Sequence, residues 1–322
     1  MSVRASVPAL PPWARFAVRR AAAGVAVVWG TVTVTFFAIH LAPGDIVDGL
    51  IGPGASATPA LRRQIAAEAG LDQPLLVQYG QELRQLASGD LGWSYQLGQP
   101  IGRLLSSQVW PTVQLAVAAL TTALVLAVLA AVLTAGRGRA VRGAAALTEL
   151  LAVSMPSFWL GIILLTVFSY NLHVLPAVGA DGPAGLVLPT LSLALPLAGL
   201  LAQVIRHELE TTDGKPFVLT ARSRGLGERA LLLRHTLRHA LLPLTTLAGF
   251  ILGGLFGGAV LVENIFTRPG LGRILASAVG SRDLPVVTAL VVLSSTVFVI
   301  VNTLVDVVHP LIDPRLREEG VA

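Results

Sequence analysis

Two histidines four residues apart, His235 and His239, are the only imidazole pair in this chain spaced like metal ligands on one helix face. Their neighbours are Arg229, Arg234 and Arg238, and no carboxylate is close in sequence to complete a site. A cation-rich face repels a metal ion, so the pair reads as a solvated basic surface. His40, His173, His207 and His309 are scattered, and the absence of cysteine rules out disulfides, thiolate metal sites and thiol catalysis. No glycine-rich phosphate loop, GxSxG elbow, HExxH helix or calcium loop occurs. The residues point to a non-enzymatic chain with no catalytic, cofactor-binding or metal-binding group of its own.

Three carboxylates, Glu149, Glu263 and Asp306, fall inside apolar runs. A charge at mid-membrane costs about 2.5–3.5 kcal/mol even on the lenient insertion scale, so each needs a reason. Helix-end or interhelical hydrogen bonding is the simplest, with Glu263 and Asn264 kept as candidates for a translocation path or outer gate. None forms the buried carboxylate chain of a proton-driven carrier.

The densest chemistry lies between Lys215 and Pro243, where Lys215, Arg222, Arg224, Arg229, Arg234 and Arg238 interrupt two long apolar runs. The pattern suggests two short helices broken at Gly225-Leu226-Gly227, since glycine permits a turn that a side chain hinders. Glu228 then suits the first turn of the second helix. Phe217, Val218 and Leu226 are apolar groups on a water-facing segment, which implies a protein partner.

The elements that must position these groups are membrane helices. The 322 residues are 54% hydrophobic and 13% charged, against about 25% charged in soluble chains. An apolar run from Ala21 to Ala42 is long enough to cross a ~30 Å hydrocarbon core and too long for a signal peptide. It is expected to stay as a first helix. Five more spans are expected at about Val113–Ala135, Leu147–Leu172, Leu186–Ile205, Leu244–Ile265 and Leu284–Val308. Pro156, Pro189 and Pro196 interrupt them, which membrane helices tolerate. The glycines from Gly249 to Gly258 permit close helix contact. Residues 43–108 are too polar to cross. They predict a helix from Thr58-Pro59 to Gly70 with Leu61 and Ile65 on one face, a second from Pro74, and a turn at Gly89–Ser94.

Six spans put both termini on one side, and the basic residues choose it. The N-terminal segment, the loop with Arg137, Arg139 and Arg142, the 215–238 stretch and the tail with Arg315 and Arg317 fall together, whereas the loop Asn171–Gly185 carries no Lys or Arg. That distribution places both termini and the basic stretch in the cytoplasm. The expected organisation is a cytoplasmic segment (1–20), a first helix (21–42), an extracytoplasmic helical cap (43–108), a five-helix core (109–310) whose cytoplasmic loop spans about 207–243, and a tail (311–322).

Thr220-Ala221-Arg222-Ser223-Arg224-Gly225-Leu226, continuing through Arg234-His235-Thr236-Leu237 to Leu241-Leu242-Pro243, resembles the cytoplasmic "EAA" loop of ABC importer permeases. More narrowly it is similar to permeases for dipeptides, oligopeptides and nickel chelates. The resemblance continues through His40–Asp45, Gly70–Pro74, Gly89–Gly92, Ser154–Leu160, Glu263–Phe266, Pro269–Gly272, Arg282-Asp283, Asn302, Asp306 and Asp313–Arg315, so it covers nearly the whole chain. Leu219 stands where the generic loop has its glutamate, and His309-Pro310 where a tyrosine and a small residue are expected.

The resemblance implies an all-α polytopic fold of the type I importer kind, in a bacterial plasma (inner) membrane. It implies a second homologous permease subunit, two ATPase subunits that bind ATP and Mg, an extracytoplasmic substrate-binding protein and surrounding membrane lipid, with no nucleic acid. It assigns ATPase coupling to Phe217, Ala221, Arg222, Gly225, Leu226 and Gly227. Peptides are the expected substrate, with a nickel chelate or glutathione-like molecule as the alternative. A proton-coupled secondary transporter is a remote rival because midplane carboxylates and an internal repeat are both lacking. A membrane scaffold recruiting a cytosolic protein is another rival.

Overall fold

The computed structural model describes residues 12–41, 46–51, 58–68, 70–94, 96–177, 179, 182–212, 215–231 and 237–312. The long helices are α1 (Pro12–Leu41), α5 (Ile101–Thr134), α8 (Ala184–Thr212), α11 (Leu237–Gly258) and α14 (Leu284–Ile312). All five are long and apolar enough to cross a membrane. The expected first, second, fourth and sixth spans are therefore present, though α1 starts earlier than Ala21 and α5 runs 12 residues ahead of Val113. Pro111, Pro189 and Pro196 sit inside continuous helices rather than breaking them.

The expected third span, Leu147–Leu172, is not one rod. It is a pair, α6 (Arg139–Ser154) and α7 (Ser157–Leu164), the latter continuing as a π-helical turn to Asn171, with a 99° bend between them. The cause is local. Pro156 forces Met155 out of the helical region, to φ −83° and ψ 124°, and the chain restarts at Ser157 in a new direction. The expected fifth span is likewise divided at Ala259 into α11 and the short α12 (Val260–Ile265). Beyond it lies α13 (Leu271–Ser281), absent from the sequence-based list although Leu271, Ile274, Leu275 and Ala278 recur at helical spacing.

A seam of small residues runs through the core. Ala119, Ala123, Ala127 and Ala131 recur every fourth residue on α5, and Ala194, Ala198 and Ala202 do so on α8; all are buried in one cluster. Helices α5 and α8 pack along each other. Side chains this short let backbones approach closely, and dispersion between them replaces the hydrophobic drive that lipid removes. On α11, a side chain at Gly249 would strike Val305 and one at Gly253 would strike Phe298, so these two glycines seat α14.

The segment between α1 and α5 comprises α2 (Ile46–Ile51), α3 (Pro59–Glu68), α4 (Leu75–Ala87) and a small hairpin, β1 (Trp93–Ser94) with β2 (Gln99–Pro100), and forms a cap. Helix α4 docks on α1. The Tyr79 hydroxyl lies 2.7 Å from Thr33 Oγ1, its ring packs against Phe36 and Phe37, and Gln78 Oε1 lies 3.2 Å from His40 Nε2. Helix α3 has no fully buried residue: Leu61 is 44% exposed and Ile65 half-buried, so the expected apolar face is only partly covered, by α2. Burial pushes the Glu82 carboxyl above the usual carboxylate range, opposed by His40. The hairpin is pinned to the start of α14, where Ser94 Oγ donates to Asp283 Oδ2 at 2.5 Å.

If the alanine seam sets the α5–α8 distance, Ala123→Leu must force the helices apart, at a cost of about 1–3 kcal/mol. Its thermal midpoint in detergent should fall by several degrees, whereas Val125→Leu on the exposed side of α5 should match wild type.

Candidate functional site

The basic stretch folds as expected into two short helices with a glycine break. Helix α9 (Pro216–Ser223) begins with Lys215 as N-cap and Pro216 in the first turn, where a missing N–H costs nothing. It ends in a Schellman turn. Gly225 N–H donates to the Arg222 carbonyl at 2.9 Å, and Leu226 N–H reaches back to the Ala221 carbonyl at 3.2 Å. Gly225 occupies the left-handed position at φ 81°, with open space around it. Helix α10 (Glu228–Leu231) follows, its Leu231 N–H bonded to the Gly227 carbonyl.

This turn closes a miniature core. Val218, Ala221 and Leu231 are buried together and Leu226 packs against them, which is the apolar contact that normally accompanies a Schellman turn. Ala221 and Leu226 thus face inward and stiffen the element. Leu219, Thr220, Ser223, Arg224, Gly225 and Gly227 form its exposed surface, and Arg222 is half-buried, lining a cavity toward the membrane helices. The side chains of Phe217, Glu228, Arg229, Arg238 and His239 lie outside the described residues, as does the whole of 232–236, including His235.

At the opposite end of α11, Glu263 is fully buried and caged. Its Oε1 accepts from Thr112 Oγ1 at 2.7 Å, and its Oε2 accepts from the backbone N–H groups of Gly272 and Arg273 at 2.8 and 3.2 Å. Thr112 in turn accepts from Leu271 N–H at 2.9 Å. A carboxylate on the free N–H groups of a helix satisfies donors that would otherwise be orphaned and meets the positive end of the helix dipole. Glu263 therefore clamps α12, α13 and α5 together. The fit leaves no room for side chains: a Cβ at Gly270 would collide with the carboxylate, and one at Gly272 would lie 2.5 Å from Val260 Cα. Thr267, a β-branched residue at φ 47°, supplies the left-handed turn between the helices at the cost of strain.

Asn264 does not join Glu263. Its side chain is exposed and bonds its own helix, Nδ2 to the Val260 carbonyl at 2.7 Å. The other two carboxylates also have interhelical partners. Glu149 on α6 pairs with Arg206 on α8, and Asp306 on α14 pairs with Arg20 on α1. Sequence reasoning missed Thr112 and the role of Gly270 and Gly272. Thr112 is 151 residues from Glu263, a pairing no local pattern could reveal. Among the described residues no group of His, Asp and Glu is arranged to hold a metal ion.

The family described as "Binding-protein-dependent transport system inner membrane component" matches residues 123–318. A protein of Brucella abortus (strain 2308) named as a peptide transport system permease is 37% identical over 308 residues, covering 93% of this chain and 98% of the relative. The glutathione transport system permease GsiC of Salmonella choleraesuis (strain SC-B67) is 35% identical over 286 residues, 88% of this chain and 92% of its own. The protein of the same name from Escherichia coli O6:H1 is 34% identical over 287 residues, with the same coverage.

Glu263→Ala should leave the Gly272 and Arg273 amides without a buried acceptor, at about 1–3 kcal/mol for each orphaned donor. The expected signature is fast hydrogen exchange across α13 while α5 and α8 stay protected. Gly270→Ala should reproduce it by displacing the carboxylate.

Proposed function

The chain belongs to the inner-membrane components of binding-protein-dependent transport systems, and on that premise we propose that it conducts peptides as one permease subunit of an ATP-driven ABC importer. The observation that carries the reading is the α9–turn–α10 element, a stiffened knob held between two membrane helices with an exposed outer surface. Such a knob is suited to receive force from another chain. The energy source is that other chain, because this sequence has no phosphate loop. Two ATPase subunits, holding ATP and Mg, bind beneath the knob, and a second homologous permease completes the pore. An extracytoplasmic binding protein delivers substrate to the cap side. The chain itself catalyses nothing and binds no cofactor. It lies in a bacterial plasma (inner) membrane with both termini and the knob in the cytoplasm, as the placement of arginine favours.

Residues Phe217, Arg222, Gly225 and Gly227 are proposed as the coupling surface, with Ala221 and Leu226 acting from inside it. Glu263 holds the outer helices in place, and Asn264 is free to face the path. The organisation into segment, first helix, cap, five-helix core with the 207–243 loop, and tail is the proposed division of the chain. Peptide uptake is favoured by the relatives named for peptide transport, and a glutathione-like tripeptide by those named for glutathione. Proton coupling is disfavoured because Glu149, Glu263 and Asp306 are all committed to interhelical bonds.

Reconstituted with its partners, the complex should take up a dipeptide or glutathione only when ATP is present. Uptake driven by a proton gradient alone overturns the proposal. With no native cysteine to interfere, Ser223→Cys should crosslink to a cysteine in the ATPase cleft in a nucleotide-dependent manner. Gly225→Val has space for its side chain but must hold a left-handed backbone, at about 1–2 kcal/mol. It should leave membrane insertion intact and lower the peptide moved per ATP hydrolysed.

A further inference from the structure

Between the knob and the ends of three membrane helices lies a cavity of about 610 Å³. Among the described residues, Arg137, Arg139, Arg142, Arg206 and Arg222 line it, with the carboxylates Glu149 and Glu210. Glu149 is already spent on Arg206, and a guanidinium N–H of Arg206 also donates to the Arg142 carbonyl at 3.3 Å. Apart from Arg206 and Arg222, the lining brings Arg137, Arg139 and Arg142 together at the start of α6. Helix α6 adds to it, because its N-terminus opens here with Gly138 as an N-cap that offers no side chain and with no acidic residue in the first turn. The positive end of the α6 dipole therefore points at the same space, with no acidic side chain in that helix's first turn to offset it.

We propose that this cavity binds a phosphate-bearing anion, and that its natural occupant is the headgroup of an anionic phospholipid. Guanidinium forks match phosphate oxygens in pairs, and the cavity is the size of a small-molecule site. The lipid source is favoured by the rest of α6. Val141, Leu147, Leu150 and Leu151 are each about half exposed along it and offer an apolar wall for acyl chains beside the charged mouth. The cavity also lies on the inner side of the knob, where buried Val218 and Leu231 contribute to its lining, whereas Leu219 and Ser223 form the outer surface left for a protein. A lipid held here ties α6 and α8 to the coupling element, so anionic lipid regulates transport. The leaflet involved rests on the orientation proposed above; the binding does not.

The test uses the complete transporter in nanodiscs of phosphatidylcholine with or without phosphatidylglycerol, read by native mass spectrometry after detergent release and by ATP-dependent uptake. Wild type should retain a phosphatidylglycerol and be stimulated by it, and Arg139→Gln with Arg142→Gln should weaken retention roughly 10–30-fold and abolish the stimulation. Arg139→Lys with Arg142→Lys should restore part of both, which separates charge from folding. Basal uptake in pure phosphatidylcholine should be equal in all three, so the reading is distinguishable from failure of the transport function itself. If millimolar inorganic phosphate shields the arginines from phenylglyoxal and phosphatidylglycerol does not, the lipid source is overturned. If neither shields them and only the ATPase subunits do, the cavity meets acidic protein and the proposal fails.

Discussion

A carboxylate among membrane helices must find a partner, because an isolated ion there costs several kcal/mol and the lipid offers no water to share it. This chain turns that constraint into its framework. Glu149 joins α6 to α8, Asp306 joins α14 to α1, and Glu263 joins α12, α13 and α5. Each bond spans elements that hydrophobicity alone would leave free to slide, since their apolar faces gain little by choosing each other over lipid. The alanine seam between α5 and α8 sets how close the helices come. The carboxylates fix which heights along them coincide.

The α9–turn–α10 knob obeys a different economy, that of a small piece of protein with an exposed outer surface. Eight residues of α9 and four of α10 are too few to be helical alone. They are held by the Schellman turn at Gly225 and by the four apolar side chains it gathers. Stiffness follows from that closure rather than from the arginines. The arginines are divided in use: Arg222 turns toward the membrane-side cavity and Arg224 outward.

Much of this was legible in the sequence wherever the signal is local. Glycine at 70 and 225 stops a helix because both positions need a left-handed backbone, and the structure places each at positive φ. Long apolar runs mark the spans because hydropathy reports environment. It reports nothing of direction, so Pro156 reads as one more tolerated proline, like Pro189 and Pro196, although only at Pro156 does the chain bend by 99°. Helix α13 was passed over because its 11 residues fall short of a span, though their periodicity was there to read. The Glu263 clamp was hidden for a deeper reason. Its ligands are nine, ten and 151 residues away, so only the packed fold brings them together.

Helix α11 gives these separate features a common axis. It is the next described helix in sequence after the α9–turn–α10 knob, and one residue separates its end from the helix that carries Glu263. Its 22 residues span about 33 Å at 1.5 Å each, enough to cross the hydrocarbon core. Gly249 and Gly253 seat it closely against α14, the helix whose first turn is pinned to the cap through Asp283 and Ser94. On the proposed function, a displacement of the knob would reach the Glu263 clamp along this helix, with a packed neighbour alongside that reaches the cap. The strained Thr267 and the carboxylate cage sit at the far end of that route, where the chain reverses through two short helices instead of a flexible loop. A loop would absorb a motion imposed on the knob, whereas helices locked by a buried carboxylate are built to pass it on.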